Sequence, residues 1–179
     1  MLAKLSKNQS LSISIRNDLR PGDIGEVIHL HGVVYAEEQG WDHTFDAYVA
    51  GPLAEFVKSS SLRDRIWIIE LTVGDKESGG KEVRIVGSAA IVDFSDGDAQ
   101  LRWLLLDPGV RGLGLGRKLV EEALKFSRSV GYSSVFLWTV QGLEAATSLY
   151  ESLGFEKTEE KTSEIWGGIV TEVRYDLQL

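Results

Sequence analysis

The chain has 179 residues, 43% of them apolar and 26% charged, which is ordinary for a globular domain and excludes a mainly disordered chain. A net charge of −8 opposes nucleic acid as the main partner, and no apolar run approaches the length of a bilayer crossing. With no cysteine there is neither a disulfide framework nor a thiolate metal site, so a reducing, cytoplasmic setting is the expectation.

Residues 1–10 carry positive charge with no apolar stretch behind them, which predicts a flexible leader and not a secretory signal. Leu11, Ile13 and Ile15 then alternate with polar residues as in a strand. Pro21-Gly22-Asp23 opens a helix with Ile24, Val27, Ile28, His31 and Val34 or Tyr35 on one face, stopped by Gly40. A second helix runs from about Thr44 to Lys58, with Phe45, Tyr48, Val49, Leu53 and Phe56 apolar. From Arg65 the period becomes that of strands, and turns at Gly74–Gly80 and Ser95–Asp98 divide the stretch to Leu106 into a three-stranded antiparallel meander.

The run Leu104-Leu105-Leu106 breaks at Pro108 and passes through Gly112, Gly114 and Gly116 into a helix with Leu115, Leu119, Ala123, Phe126 and Val130 on one stripe. Ser134–Thr139 reads as a buried strand parallel to the one before that helix, a right-handed crossover. A helix over about Leu143–Leu153, ended by Gly154, and two closing strands complete one domain over residues 11–179. The expected architecture is therefore α/β (α+β), with a mixed sheet of about seven strands and about four helices.

Glycine turns and free helix N-terminal N–H groups make the 104–117 stretch an anion site, with phosphate or pyrophosphate as the natural guest. The spacing is G-x-G-x-G, which fails the dinucleotide fingerprint, and Gly131–Val140 lacks the acidic residue that fingerprint needs. A P-loop fails as well, because the nearest approach, around Gly74–Lys81, has an extra glycine and is followed by Glu82. His29 and His31, two apart on a helix, do not share a face, and no metal site is expected. Between Pro21 and Val57 the charged residues are Asp23, Glu26, Glu37, Glu38, Asp42, Asp46 and Glu55, with no Lys or Arg. This block reads either as a cation-favouring surface or as the solvated face of two helices.

Arg111-Gly112-Leu113-Gly114-Leu115-Gly116 resembles the R/Q-x-x-G-x-G/A signature of the GNAT N-acetyltransferases, and Ala146–Phe155 resembles that family's A-x-x-L-Y-x-x-x-G-F segment. The order of elements is also similar over essentially the whole chain. Ile15–Trp41 and Leu101–Pro108 look most like the GNAT domains that follow a MarR-type winged helix. With no such segment ahead of the first strand, DNA binding is not carried over.

The resemblance implies acetyl-CoA as co-substrate, no metal, and a primary amine as acceptor, taken by direct attack in a ternary complex. The backbone of Leu104, Leu105 and Leu106 would pair with the pantetheine arm and polarise the thioester. Backbone donors of Gly112, Leu113, Gly114, Leu115, Gly116 and Arg117 would hold the pyrophosphate, with charge from Arg111, Arg117 or Lys118. Tyr150 matches the family's general acid. No carboxylate lies between Gln100 and Leu106, so Glu37, Glu38 and Asp93 remain as base candidates. Leu143 stands where many members have an asparagine contacting the cofactor, so that contact is either absent or replaced through Thr139 or Gln141. The acidic helix pair suggests a cationic small molecule or lysine-like amine, and the resemblance leaves room for a homodimer. The alternative is a non-catalytic acyl-CoA-binding sensor module.

Overall fold

In the computed structural model, the described residues are 9–59, 61–75, 79–95 and 97–179. They form β1 (Gln9–Arg16), α1 (Asp23–Gln39), α2 (Thr44–Ser59), β2 (Arg65–Asp75), β3 (Lys81–Ser95), β4 (Asp98–Leu106), α3 (Leu115–Ser129), β5 (Ser134–Val140), α4 (Glu144–Ser152), β6 (Glu156–Ile165) and β7 (Gly168–Gln178). Two residues of the leader expected over residues 1–10 belong to the sheet. Gln9 and Ser10 pair with Asp75 and Gly74 as part of β1, and residues 1–8 lie outside the described residues.

One sheet runs in the order β1-β2-β3-β4-β5-β7-β6, antiparallel except where β4 meets β5. Helices cover both faces. On one face, α3 presents Leu119, Val120, Ala123 and Phe126 to Ile69, Leu71, Ile91, Leu101 and Val135. On the other, α1 and α2 bring Val27, Phe45, Val49, Leu53 and Phe56 onto Ile66, Ile68, Ala90 and Trp103. Because both faces are covered, residues of either strand phase become buried, which is why Glu172 in β7 is only 6% exposed.

A charged cluster locks β1 to the start of α1. Arg16 makes paired hydrogen bonds of 2.8 and 2.7 Å to Asp23 and a third of 2.7 Å to Glu70. Burial pushes the Asp23 carboxyl up, but hydrogen bonds from the Arg16 guanidinium and the Arg20 amide outweigh it and hold its pKa below the usual carboxylate value. Of the acidic block, Asp23 is therefore a structural anchor.

Two devices shape the middle of the sheet. β4 bulges, since Arg102 and Leu105 face Ala90 and Ser88, so Trp103 and Leu104 stand opposite Ala89 alone. Trp103 takes φ 49°, and the Ser88 hydroxyl donates to its carbonyl at 2.7 Å. The bulge reverses the side-chain phase: Ala99 and Leu101 pack with α3, Trp103 packs with α2, and Leu104 and Leu106 return to the α3 side. The second device is the parting of β4 and β5, which pair only over Asp98–Gln100 and Ser134–Phe136.

Candidate active site

Beyond Gln100 and Phe136 the two parallel strands diverge, and the facing edges of Leu101–Leu106 and Leu137–Val140 have no ladder partner. A cavity of about 130 Å³ opens there, between Gln100–Leu104 on one wall and Leu137–Val140 on the other. Main-chain donors and acceptors exposed along such a wedge suit an extended amide-bearing ligand that pairs like an added strand.

At the wide end, β4 leads through a single 3₁₀ turn at Pro108–Val110 to α3. Gly114 caps α3 at φ 76°, with no side-chain hydrogen bond to the first turn. Gly112 also has positive φ, and a Cβ on either glycine would meet nothing within 4 Å. Both conformations favour glycine, the space beside both glycines is open, and the first N–H groups of α3 carry the positive end of the helix dipole without a side-chain cap. A Cβ on Gly116 would reach Leu149 and Leu106 at 3.5 and 3.6 Å, ordinary contact, so packing alone does not require glycine there. These features fit a bound diphosphate.

The charged side chains proposed to assist are deployed differently. Arg111 donates to both Glu38 oxygens at 2.7 and 3.2 Å and from Nε to the Leu106 carbonyl at 3.1 Å. It therefore clamps the end of β4 to α1. Arg117 donates to the Ser152 hydroxyl at 2.6 Å and lies 3.5 Å from Glu121. Lys118 and Leu113 are exposed, and Leu115 packs partly against the core.

Tyr150 projects from α4 to the cavity wall and is 6% exposed. Its ring meets Phe155 and Tyr175, while its hydroxyl has no hydrogen-bond partner among the described residues. Burial raises its pKa well above the ordinary phenol value, with a smaller contribution from Tyr35, so it stays protonated at neutral pH. Thr139 and Leu143 also line the cavity.

The three base candidates are not brought into the cavity. Glu37 is exposed and faces a separate groove beside Asp107 and Pro108. Glu38 is held by Arg111. Asp93 is level with Ala99 at the closed end of the strand pair, 3.6 Å from Arg63. Nor does any residue of the acidic block line the cavity, which corrects the premise of an acidic acceptor side. Three side chains not proposed for the chemistry, an imidazole, a carboxylate and a guanidinium, do line it. His31, 4% exposed, uses Nδ1–H to donate to the Val27 carbonyl at 2.8 Å, and burial pushes its pKa down to about 4. Glu172 reaches the cavity from β7 and pairs with Lys161 at 3.1 Å. Arg102 lines it from β4. A wall of Tyr35, Trp41, Phe45, Tyr48 and Trp166 closes the side, with Tyr35 stacked on Trp41 at 4.7 Å and Trp41 4.4 Å from Trp166. In the sequence, Glu172 and Arg102 stand in the polar phase of their strands and read as solvent-facing.

The profile of the acetyltransferase (GNAT) family matches residues 29–155. The chain belongs to that family. Rat (Rattus norvegicus) N-acetyltransferase 8 is 33% identical over 132 residues, covering 71% of this chain and 56% of that protein. An uncharacterised N-acetyltransferase of Schizosaccharomyces pombe is 33% identical over 129 residues, covering 70% and 72%. The chain spans a little over half the length of several curated relatives it matches, 56% of the rat protein and 59% of human N-acetyltransferase 8B. Among solved structures, a putative acetyltransferase of Salmonella typhimurium, crystallised with its cofactor acetyl-CoA, superposes with a TM-score of 0.67 at 18% identity, covering 93% of this chain and 94% of that one. An N-acetyltransferase of Staphylococcus aureus Mu50 does so with 0.71 at 15%, covering 93% and 98%. These likenesses show the GNAT fold. Among the described residues of this GNAT chain, no three His, Cys, Asp or Glu side chains gather as a metal site, and no helix is long and apolar enough to cross a membrane.

Proposed function

We propose that the protein is an acetyl-CoA-dependent N-acetyltransferase that acetylates a primary amine by direct attack in a ternary complex. The observation that carries this reading is the parting of β4 and β5 over a cavity lined by Tyr150, with a helix N-terminus that has no side-chain cap at its wide end. Family membership and a solved neighbour crystallised with acetyl-CoA support it. Acetyl-CoA supplies an activated thioester when bound.

The Leu104–Leu106 edge of β4 receives the amide-bearing arm, and the backbone N–H groups at the bulge stabilise charge developing on the acetyl oxygen, an effect worth about 3 kcal/mol in analogous sites. The N–H groups from Gly112 to Arg117 hold the diphosphate. The neutral amine attacks the acetyl carbon, an N–C bond forms and the C–S bond breaks. The surplus proton on nitrogen passes to Glu172, which lines the cleft where Glu37, Glu38 and Asp93 do not, and Tyr150 returns a proton to the sulfur. The same reading takes β1 to β7 with their helices as one catalytic unit, cytoplasmic, with Ile15–Trp41 and Leu101–Pro108 carrying its kinship to the GNAT domains of MarR–GNAT fusions and with room for a homodimer.

Calorimetry with acetyl-CoA and a free-thiol assay over a panel of amines test it together. Binding with amine-dependent thiol release is the expected result. Absence of binding at high micromolar acetyl-CoA overturns the reading, and tight binding without turnover on any amine leaves the acyl-CoA sensor in its place.

A further inference from the structure

Four arginines are partly shielded from solvent, and three of them have a carboxylate within 4 Å: Arg16 hydrogen-bonds Asp23 at 2.7 Å, Arg174 hydrogen-bonds Asp176 at 2.7 Å, and Arg63 lies 3.6 Å from Asp93, too far for a hydrogen bond. Arg102 does not. Among the described residues its polar contact is the Gln100 side-chain oxygen at 3.5 Å, and its guanidinium otherwise lies 5.0 Å from the Trp103 ring centre. Withdrawing a cation from water without an anion is costly, and a ligand that brings the anion recovers that cost. Burial lowers the Arg102 pKa, yet a guanidinium keeps its charge at any physiological pH.

The position of Arg102 assigns the missing anion to the acceptor. Arg102 precedes the bulge and stands two residues beyond Gln100, the last residue paired with β5, so it lies at the narrow end of the wedge. The diphosphate cradle is at the opposite, wide end, on α3. Gln100, Arg102 and Trp103 line the same cavity as Glu172 and the aromatic wall. Tyr48 feels the charges of Arg102, Glu172 and Lys161, and Lys161 pairs with Glu172. A cation without a carboxylate, a carboxylate paired with Lys161 and an apolar wall thus converge on a single space.

Resting on the acetyl-transfer reading above, we propose that the acceptor is an α-amino acid with an apolar or aromatic side chain, its carboxylate bound by Arg102 and its amine facing Glu172. Arg102 is then a specificity residue, and the cationic amine suggested by the acidic helices is disfavoured, because it would meet an unpaired guanidinium.

The test compares kcat/KM for phenylalanine, phenylalaninamide, 2-phenylethylamine and spermidine, with acetyl-CoA binding measured on each protein. The expected preference of the wild type for phenylalanine over the amide and the decarboxylated amine is roughly 10- to 100-fold, the range of a hydrogen-bonded charge pair. Arg102→Met should erase that ratio and Arg102→Lys retain part of it. A damaged fold lowers all four rates and leaves the ratio intact, so the ratio reports on the contact. Equal rates in the wild type, spermidine as the best acceptor, or a preference that survives Arg102→Met each overturn the proposal while acetyl-CoA binding persists. Loss of acetyl-CoA binding by the wild type instead overturns the acetyl-transfer reading beneath it.

Discussion

Tyr150 combines a raised pKa, a cavity-facing position and a hydroxyl without a partner among the described residues. Removing that hydroxyl leaves no buried donor or acceptor unpaired, so Tyr150→Phe should keep the melting temperature and the affinity for acetyl-CoA close to wild type. The acetyl-transfer rate should fall by roughly 10²-fold, as when a positioned acid is lost. An unchanged rate would remove Tyr150 from the chemistry. The motif marked this residue in the sequence, but its lack of a hydrogen-bond partner depends on what α4 packs against.

At the scale of elements, the turn into α3 separates two roles that glycine can play. Gly114 sits at φ 76°, where an L side chain costs about 1 kcal/mol or more, although a Cβ there meets no atom. Gly114→Ala should therefore shift the first N–H groups of α3, cost about 1 kcal/mol in stability, and weaken acetyl-CoA roughly tenfold or more, equivalent to one charge-assisted hydrogen bond. Gly116→Ala, inside the helix and in ordinary contact with Leu149 and Leu106, serves as the comparison, because it should not destabilise the free protein. Calorimetry on both variants checks the pair, and unaltered affinity in Gly114→Ala would place the anion elsewhere. The alternation of glycines was legible in the chain, whereas the bulge at Trp103 was not, since nothing local marks a tryptophan for positive φ.

For the whole molecule, His31 links stability to pH. Burial holds it neutral down to about pH 4, whereas the unfolded chain protonates it near 6.5. Across that window the unfolded state binds more protons, so stability is complete above about pH 6.5 and falls as the pH drops towards 4, by up to about 3 kcal/mol. Denaturant titrations at pH 7 and pH 5 should show this decline, and His31→Asn, whose amide nitrogen takes the place of Nδ1 towards the Val27 carbonyl, should flatten it. An equal decline in the variant would assign the slope to other groups. Asp23, held below the usual carboxylate range by Arg16, contributes above about pH 4 and is lost only in stronger acid.

The order of strands and helices, the inner faces of α1 and α2 and the glycine turn follow from local signals, hydrophobic period and turn residues, while resemblance to a family motif marked the Tyr150 segment. Those signals act within a few residues, so the chain alone carries them. The contents of the cleft are another matter. Glu172 and Arg102 stand in polar strand phases that look solvent-facing until helices cover both sides of the sheet, and Glu38 looks free until α1 is set against Arg111. Burial, pairing and the lack of a pair arise from contacts between residues distant in sequence, and packing alone decides which charge is left for a ligand.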